Sequence, residues 1–479
     1  MFLIKSIQES WFYHLCAAAA AWFSRQWQKS AVVTWFSSQS AAPGASSRSL
    51  FARLFDALHH GLAWLFHLLR LDRLLQGSIF CIPVLWCGLA VAGLPFLSTM
   101  QTLALVMLAF LSLLLTFGRD RERSLVYFPA NKFIYLFAVV YLYAAATSTD
   151  PGSSLLVSLL TAAFVLFSIV LTNSVTRWNQ VKAILAVITL GGLLVSLYGF
   201  YQFLHAQNFV SVWTDTDLFS TFSFRVYSTF ANPNVLGEYF LLTLPLAAAL
   251  LLTAKKWPAR ILWLVCCGAM LLCLALTYSR GCYLGLMAAA ALFLIMLDRR
   301  FILVGVVALL LAPFLLPESI LERFLSIGNM EDTSTSYRWS IWMGVLDMLK
   351  DYWFSGVGPG ETAFNMVYPA YAYHDIAAPH SHNLFLQITC DAGVCGILMF
   401  VFLGFSYYRS MFTAFRHETD KEVRIFQMAG LASISGFVVQ SMTDYTFYNY
   451  RVMLLFWTVL ALSLLFAKGR ELKGAERLG

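Results

Sequence analysis

Three arginines and a pair of histidines stand out from their surroundings in this 479-residue chain: Arg225, Arg280, Arg338, and the run His380-Ser381-His382-Asn383. An arginine at the centre of a membrane span costs roughly 2.5–3.5 kcal/mol on insertion scales, so one kept at a membrane edge needs a reason. Arg280, in Thr277-Tyr278-Ser279-Arg280-Gly281, lies between two apolar runs with almost no loop, where its guanidinium would point into the mouth of a helix bundle. Its plainer role is to snorkel and fix a helix end. Arg338, in Ser336-Tyr337-Arg338-Trp339, opens an amphipathic stretch, where a cation opposes the helix dipole unless an anion is bound nearby; loop bracing is the alternative. Arg225 precedes Tyr227-Ser228-Thr229-Phe230-Ala231-Asn232-Pro233-Asn234, a turn-rich lead into the next apolar run, and bracing would serve there too. Taken together, three forked guanidiniums suit a diphosphate, whose oxygens they can pair bidentately.

His382 stands where a long loop re-enters the membrane. A histidine there can take a proton from a hydroxyl near neutral pH, as activation of a sugar alcohol for attack requires. Helix capping and interfacial placement are the alternatives for both His380 and His382. A set of His374, His380, His382 and Glu361 matches no established zinc spacing, so neither a metal nor a cofactor is expected. Gly356-Val357-Gly358-Pro359-Gly360 lacks the lysine and preceding strand of a P-loop. It reads as a backbone turn, or more sharply as one whose amides cradle an anion. Asp391-Ala392-Gly393 puts small residues where helices pack closely, and Asp444 and Arg451 can pair across the last loop.

The elements that must position these residues are membrane helices. With 59% hydrophobic and 12% charged residues and a mean hydropathy of +0.71, the chain is far from a soluble protein, whose charged fraction is nearer ~25%. Its apolar residues gather into runs at 77–97, 99–117, 131–147, 153–173, 183–204, 234–254, 261–278, 281–297, 301–316, 382–406, 425–443 and 452–467. These have the length of helical spans, and about twelve transmembrane helices are expected, an all-α polytopic bundle. A barrel would alternate polar and apolar over ~10 residues and is excluded. The net charge of +7 has no basic soluble module to serve nucleic acid. It reports topology instead: with the amino terminus inside, 26 of the 32 basic residues fall on inner segments, which predicts both termini in the cytoplasm. Nine cysteines, mostly within apolar runs and without paired spacing, imply no disulfide framework.

Residues 1–76 read as a cytoplasmic extension ending in an interfacial helix over 50–75, and 468–479 as a basic tail. Between them, 77–467 forms the membrane domain, including an outer loop at 317–381. That loop holds helical pieces starting at Pro317 and spanning Tyr337 to Leu349. No internal repeat marks a secondary transporter.

Ser279-Arg280-Gly281, a long outer loop opening with Tyr337-Arg338-Trp339, then Gly356-Val357-Gly358-Pro359-Gly360, His380-Ser381-His382-Asn383-Leu384-Phe385-Leu386-Gln387 and Asp391-Ala392-Gly393 follow one another in an order that resembles the O-antigen ligase/polymerase superfamily. Arg225 and Asn232-Pro233-Asn234 extend the resemblance, which covers roughly 80–465. It implies a C-type membrane glycosyltransferase of the bacterial cytoplasmic membrane, metal-independent and inverting. Such an enzyme moves a glycan from undecaprenyl diphosphate to a hydroxyl of a glycan, lipid or protein acceptor on the outer side. By the same resemblance, Arg280 and Arg338 match diphosphate-binding arginines and His382 a base, with Arg225, Asn234, Gly358, Gly360, His380 and Asn383 as substrate-binding candidates. Members of this superfamily have also been labelled bicarbonate transporters, so a small-anion transporter is the alternative function.

Overall fold

A computed structural model describes residues 50–71, 75, 77–120, 123–209, 224–315, 317–326 and 333–478, with residues 18 and 22. The extension expected before residue 50 thus lies, those two residues apart, outside the described residues. Helix is the only regular element among the described residues, with no strand.

An amphipathic α1 (Leu50–Leu68) precedes α2 (Pro83–Gly93), α3 (Thr99–Arg119), α4 (Asn131–Ala146), α5 (Pro151–Ser174) and α6 (Trp178–Leu204). Next come α7 (Pro233–Thr253), α8 (Trp257–Ala275), α9 (Arg280–Leu297) and α10 (Phe301–Leu315). The long loop carries α11 (Glu318–Leu325), α12 (Thr333–Tyr352) and α13 (Glu361–Val367), before α14 (Leu384–His417), α15 (Lys421–Ser441), α16 (Tyr450–Ala467) and α17 (Gly469–Leu478). Local chemistry sets where the spans start. Proline in the first turn opens α2, α5, α7 and α8, where its missing N–H costs nothing. Ser98, Asn232, Asn383, Asp420 and Asn449 cap α3, α7, α14, α15 and α16 through side-chain oxygens.

All twelve expected runs are helical. Nine of the described helices are long and apolar enough to cross a membrane: α3, α5 to α9, and α14 to α16. The runs at 77–97, 131–147 and 301–316 form the shorter α2, α4 and α10, of 11, 16 and 15 residues, below the ~20 of an upright crossing. In the first of these, a 3-10 turn over Ile79–Cys81 delays the helix to Pro83.

The core is built around α16, whose apolar residues from Val452 to Phe466 are almost all buried, flanked by α5, α7 and α15. Helices α9 and α15 meet at Gly285 and Gly436. A Cβ on either would come within 2.6–2.7 Å of the other's carbonyl oxygen, so only glycine permits this crossing. α1 packs against the end of α3, where His59 Nε2 donates to the Phe117 carbonyl at 2.8 Å. Hydrogen bonds among the connections at 94–98, 147–150, 224–232, 276–279, 317–326, 333–383 and 442–449 gather them at one end of the bundle.

Candidate active site

Asp444 lies at the centre of that end, in the loop between α15 and α16, with only 3% of its surface exposed. Its Oδ1 faces His382 Nδ1 at 3.2 Å and accepts from the Tyr445 N–H at 2.9 Å. Its Oδ2 accepts from Asn234 Nδ2 at 3.0 Å and faces Arg338 Nη2 at 3.7 Å. Asn234 Oδ1 in turn accepts from Arg225 Nη2 at 3.0 Å, and Arg225 Nε donates to the Thr277 carbonyl at 2.8 Å. One carboxylate thereby joins residues separated by up to 219 positions, from Arg225 to Asp444 itself. Burial alone would push the Asp444 carboxyl up, but the His382 hydrogen bond and the Arg338 charge hold it well below the usual carboxylate range.

Local sequence explains these positions. Ala231, left-handed at φ 59°, turns the chain so that Asn232 caps α7 and Pro233 starts it, which places Asn234 in the first turn. His382 is also left-handed, at φ 48°, an uncommon state for a residue with a Cβ. The neighbours fix it there. Its N–H donates to His380 Nδ1 at 3.2 Å, and the Ser381 N–H donates to Gln387 Oε1 at 2.8 Å. Asn383 caps α14 and donates from Nδ2 to the Met442 carbonyl at 2.8 Å, tying the histidine loop to the loop of Asp444. The His380 ring lies 4.2 Å from that of His382 and stacks on Tyr448 at 5.1 Å. Burial, with His382 and Arg338 nearby, pushes the pKa of His380 down to about 3 against the pull of Asp444.

Arg338 stands further into its helix than the sequence suggests. α12 begins at Thr333, so Arg338 is past the first turn, where opposition from the dipole has faded. Nη1 donates to Ser334 Oγ at 3.2 Å, while Nε is buried with no hydrogen-bond partner among the described residues. Arg280 is the first residue of α9, and its Nη1 reaches the Ser326 carbonyl at 3.0 Å, at the end of α11. Gly358 and Gly360 have φ near +110°; a Cβ on Gly358 would collide with Ser148, and one on Gly360 would press on the Val157 side chain. Their segment clamps the α4–α5 turn: Thr149 N–H donates to the Val357 carbonyl at 2.9 Å and Ser154 Oγ to that of Pro359 at 2.8 Å. The structure therefore joins His380, His382, Asn383, Arg338, Asn234 and Arg225 in one contact network around Asp444, and gives Arg280, Gly358 and Gly360 the separate contacts just described.

Two expectations change. Asp444 and Arg451 do not pair, because Asp444 is taken by His382 and Arg338. Arg451 Nη1 donates to the carbonyls of Thr229 at 3.1 Å and Pro95 at 3.4 Å, with the guanidinium over the Phe230 ring. Asp391-Ala392-Gly393 breaks a helix: Gly393 is left-handed at φ 59°, and Val394 N–H leaves the helix ladder for the Trp353 carbonyl at 2.8 Å. Glu238, not singled out in the sequence, is fully buried one turn after Asn234. Gln440 Nε2 lies 3.4 Å from its Oε1, and its Oε2 has no hydrogen-bond partner among the described residues. An acidic residue inside an apolar run was the available signal.

His380, His382 and Asp444 also bring possible metal-ligand atoms within 4.8 Å of one another. Arg338 already supplies positive charge at that carboxylate, and Asp444 Oδ1 already pairs with the His382 nitrogen that a cation would use. Such an arrangement can orient a histidine base and present guanidiniums to an anion. Residues 241–401 match the family model described as O-antigen ligase. That span contains Arg280, Arg338 and the histidine loop, while Arg225, Asn234 and Asp444 lie outside it. No curated protein matches the chain.

Proposed function

We propose that this multi-pass membrane chain, whose residues 241–401 match the O-antigen ligase family model, transfers a glycan from undecaprenyl diphosphate to an acceptor hydroxyl on the outer side of the bacterial cytoplasmic membrane, with both termini in the cytoplasm. The observation that carries this reading is the shared carboxylate, which presents a histidine on one oxygen and an arginine on the other. Because Asp444 accepts at Nδ1, the proton of neutral His382 resides there and the Nε2 lone pair is available as a base. Nε2 removes the acceptor's hydroxyl proton as the oxygen attacks the anomeric carbon. The bond from that carbon to phosphate breaks, its electron pair leaves on the diphosphate, and the sugar inverts.

Arg338 and Arg280 carry the growing charge on the leaving diphosphate, with Arg225 contributing positive potential from behind Asn234. The buried, unpartnered Nε of Arg338 is a donor whose desolvation a phosphate oxygen would repay. No metal is required in this scheme, since guanidiniums supply the charge. The family match lends no support to a small-anion transporter.

Release of undecaprenyl diphosphate from a lipid-linked glycan, measured on the full chain in liposomes with candidate acceptors, tests the proposal. Alanine at His382, Arg280 or Arg338 should reduce release by on the order of 10²–10⁴-fold while the protein remains folded in the bilayer. Undiminished release in all three variants would overturn the assignment.

A further inference from the structure

An open cavity of about 460 Å³, more a cleft than a closed pocket, lies between the α2–α3 turn and the loop that leads into α16. Its walls include Phe96 and Tyr448, the hydroxyl residues Ser98 and Thr99, Asn449, and the half-buried Arg451. None of the three arginines assigned to the diphosphate lines it. It nevertheless adjoins the active site through one ring. Tyr448 forms part of the cavity wall and stacks on His380 at 5.1 Å, and His380 lies 4.2 Å from His382. The Tyr448 hydroxyl, which accepts from Asn232 Nδ2 at 3.0 Å, fixes this ring against the start of α7.

The chemistry of the walls indicates the occupant. Aromatic rings offer faces to the C–H side of a pyranose, while hydroxyl and amide groups bond its oxygens. Arg451 adds a charge. Among the described residues it forms no ion pair with a carboxylate, and its named partners are two backbone carbonyls and the Phe230 ring. Carbonyls and a ring face leave its full positive charge uncompensated, which favours an anionic group in the adjacent cavity. We propose that this cavity is the acceptor subsite and that it takes a sugar residue bearing a carboxylate or phosphate, two rings away from the base. The proposal rests on the glycosyltransferase reading. It extends that reading by a ligand class and by a location outside the matched 241–401 span.

The test uses the full chain in nanodiscs and isothermal titration with glucuronic acid, glucose 6-phosphate and glucose, alongside undecaprenyl diphosphate. One or both anionic sugars should bind about tenfold tighter than glucose, the worth of one charge-assisted hydrogen bond, and their ratio separates carboxylate from phosphate. Arg451→Gln should abolish that preference, and Thr99→Trp, which fills the cavity, should weaken all three sugars. Both variants should bind undecaprenyl diphosphate within about twofold of wild type, which also reports that they are folded. Saturating undecaprenyl diphosphate should leave the sugar affinity unchanged, because the subsites are separate. Equal binding of glucose and both anionic sugars, an unchanged preference in Arg451→Gln, or competition between sugar and lipid would each overturn the proposal. Arg280→Ala distinguishes it from its premise: this variant should lose lipid affinity and retain the sugar preference. Lipid affinity indifferent to Arg280 would count against the premise alone.

Discussion

At the amino-terminal end of α15, Lys473 meets Asp420 at 2.7 Å and Glu422 at 2.8 Å, Lys182 approaches Glu422 at 3.5 Å, and Arg470 meets Glu418 at 3.1 Å. At its carboxy-terminal end, about 30 Å away by helical rise, Asp444 faces Arg338 directly and reaches Arg225 through Asn234. At the first end each of these cations meets a carboxylate, in pairs that fasten α17 to the bundle. At the second end one buried carboxylate is shared between a histidine and an arginine. Backbone conformation separates the ends as well, since among the described residues every non-glycine residue with positive φ except Arg70 falls in the connections of the Asp444 end. Residues held in uncommon conformations mark places where position is worth strain. Paired charge with relaxed backbone is what attachment needs, whereas a shared buried carboxylate with constrained backbone is what a positioned histidine needs.

The strongest way to break this contrast is Asp444→Asn. The amide keeps the size of the side chain but can donate to His382 Nδ1, which would move the imidazole proton to Nε2 and remove the base. Turnover should fall by on the order of 10²–10⁴-fold, the span for loss of general base catalysis, with little change in donor binding. Release of undecaprenyl diphosphate under single-turnover conditions, with donor affinity measured separately, checks both parts. Wild-type turnover in this variant would make the His382–Asp444 contact a packing feature, and the two ends would then differ only in charge.

The helical runs and the histidine loop were readable because each leaves a local mark: a run of apolar residues, a short motif. Asp444 left a weaker mark. It lies 62 residues after His382, and its partner could not be chosen from spacing, so pairing with the nearer Arg451 was equally consistent. The role of Gly358 and Gly360 was hidden for a similar reason, because the surface they fit is the α4–α5 turn around Ser148, about 200 residues earlier. Asn234 was correctly placed at the start of a span, yet its bridge from Arg225 to Asp444 needs the third dimension. Helix existence is encoded by neighbours in sequence, whereas the network around Asp444 is encoded by packing of α7, α12, α14 and α15.

A smaller effect should come from His380. Its enclosed ring titrates at about 3 instead of the ordinary 6.5, so between those values the unfolded chain binds a proton that the folded chain refuses. Stability is therefore complete above pH 6.5 and declines as the pH falls through that window, by about 2 kcal/mol at pH 5. Asp444, held low by His382 and Arg338 in spite of its burial, adds loss only in stronger acid. His380→Gln removes the first contribution. Thermal unfolding in detergent at pH 7.5 and pH 5 should show a smaller acid-induced shift in the variant than in wild type, and equal shifts would place the acid sensitivity elsewhere.

The opposite end sharpens the contrast with the smallest effect. Lys473 sits between two partly exposed carboxylates with its ammonium 5.5 Å from the Trp178 ring centroid. Lys473→Ala should cost about 1 kcal/mol or less, because solvent already screens those pairs, and part of the loss would be alkyl packing rather than charge. The charge component should shrink further in high salt, where the Debye length falls to about 3 Å at 1 M. Turnover should be unchanged. Thermal unfolding at low and high salt, with transfer assayed in parallel, separates attachment from chemistry. A large fall in turnover with stability intact would mean that α15 couples its two ends across the membrane, and the paired charges would then belong to the working machinery as much as those around Asp444 do.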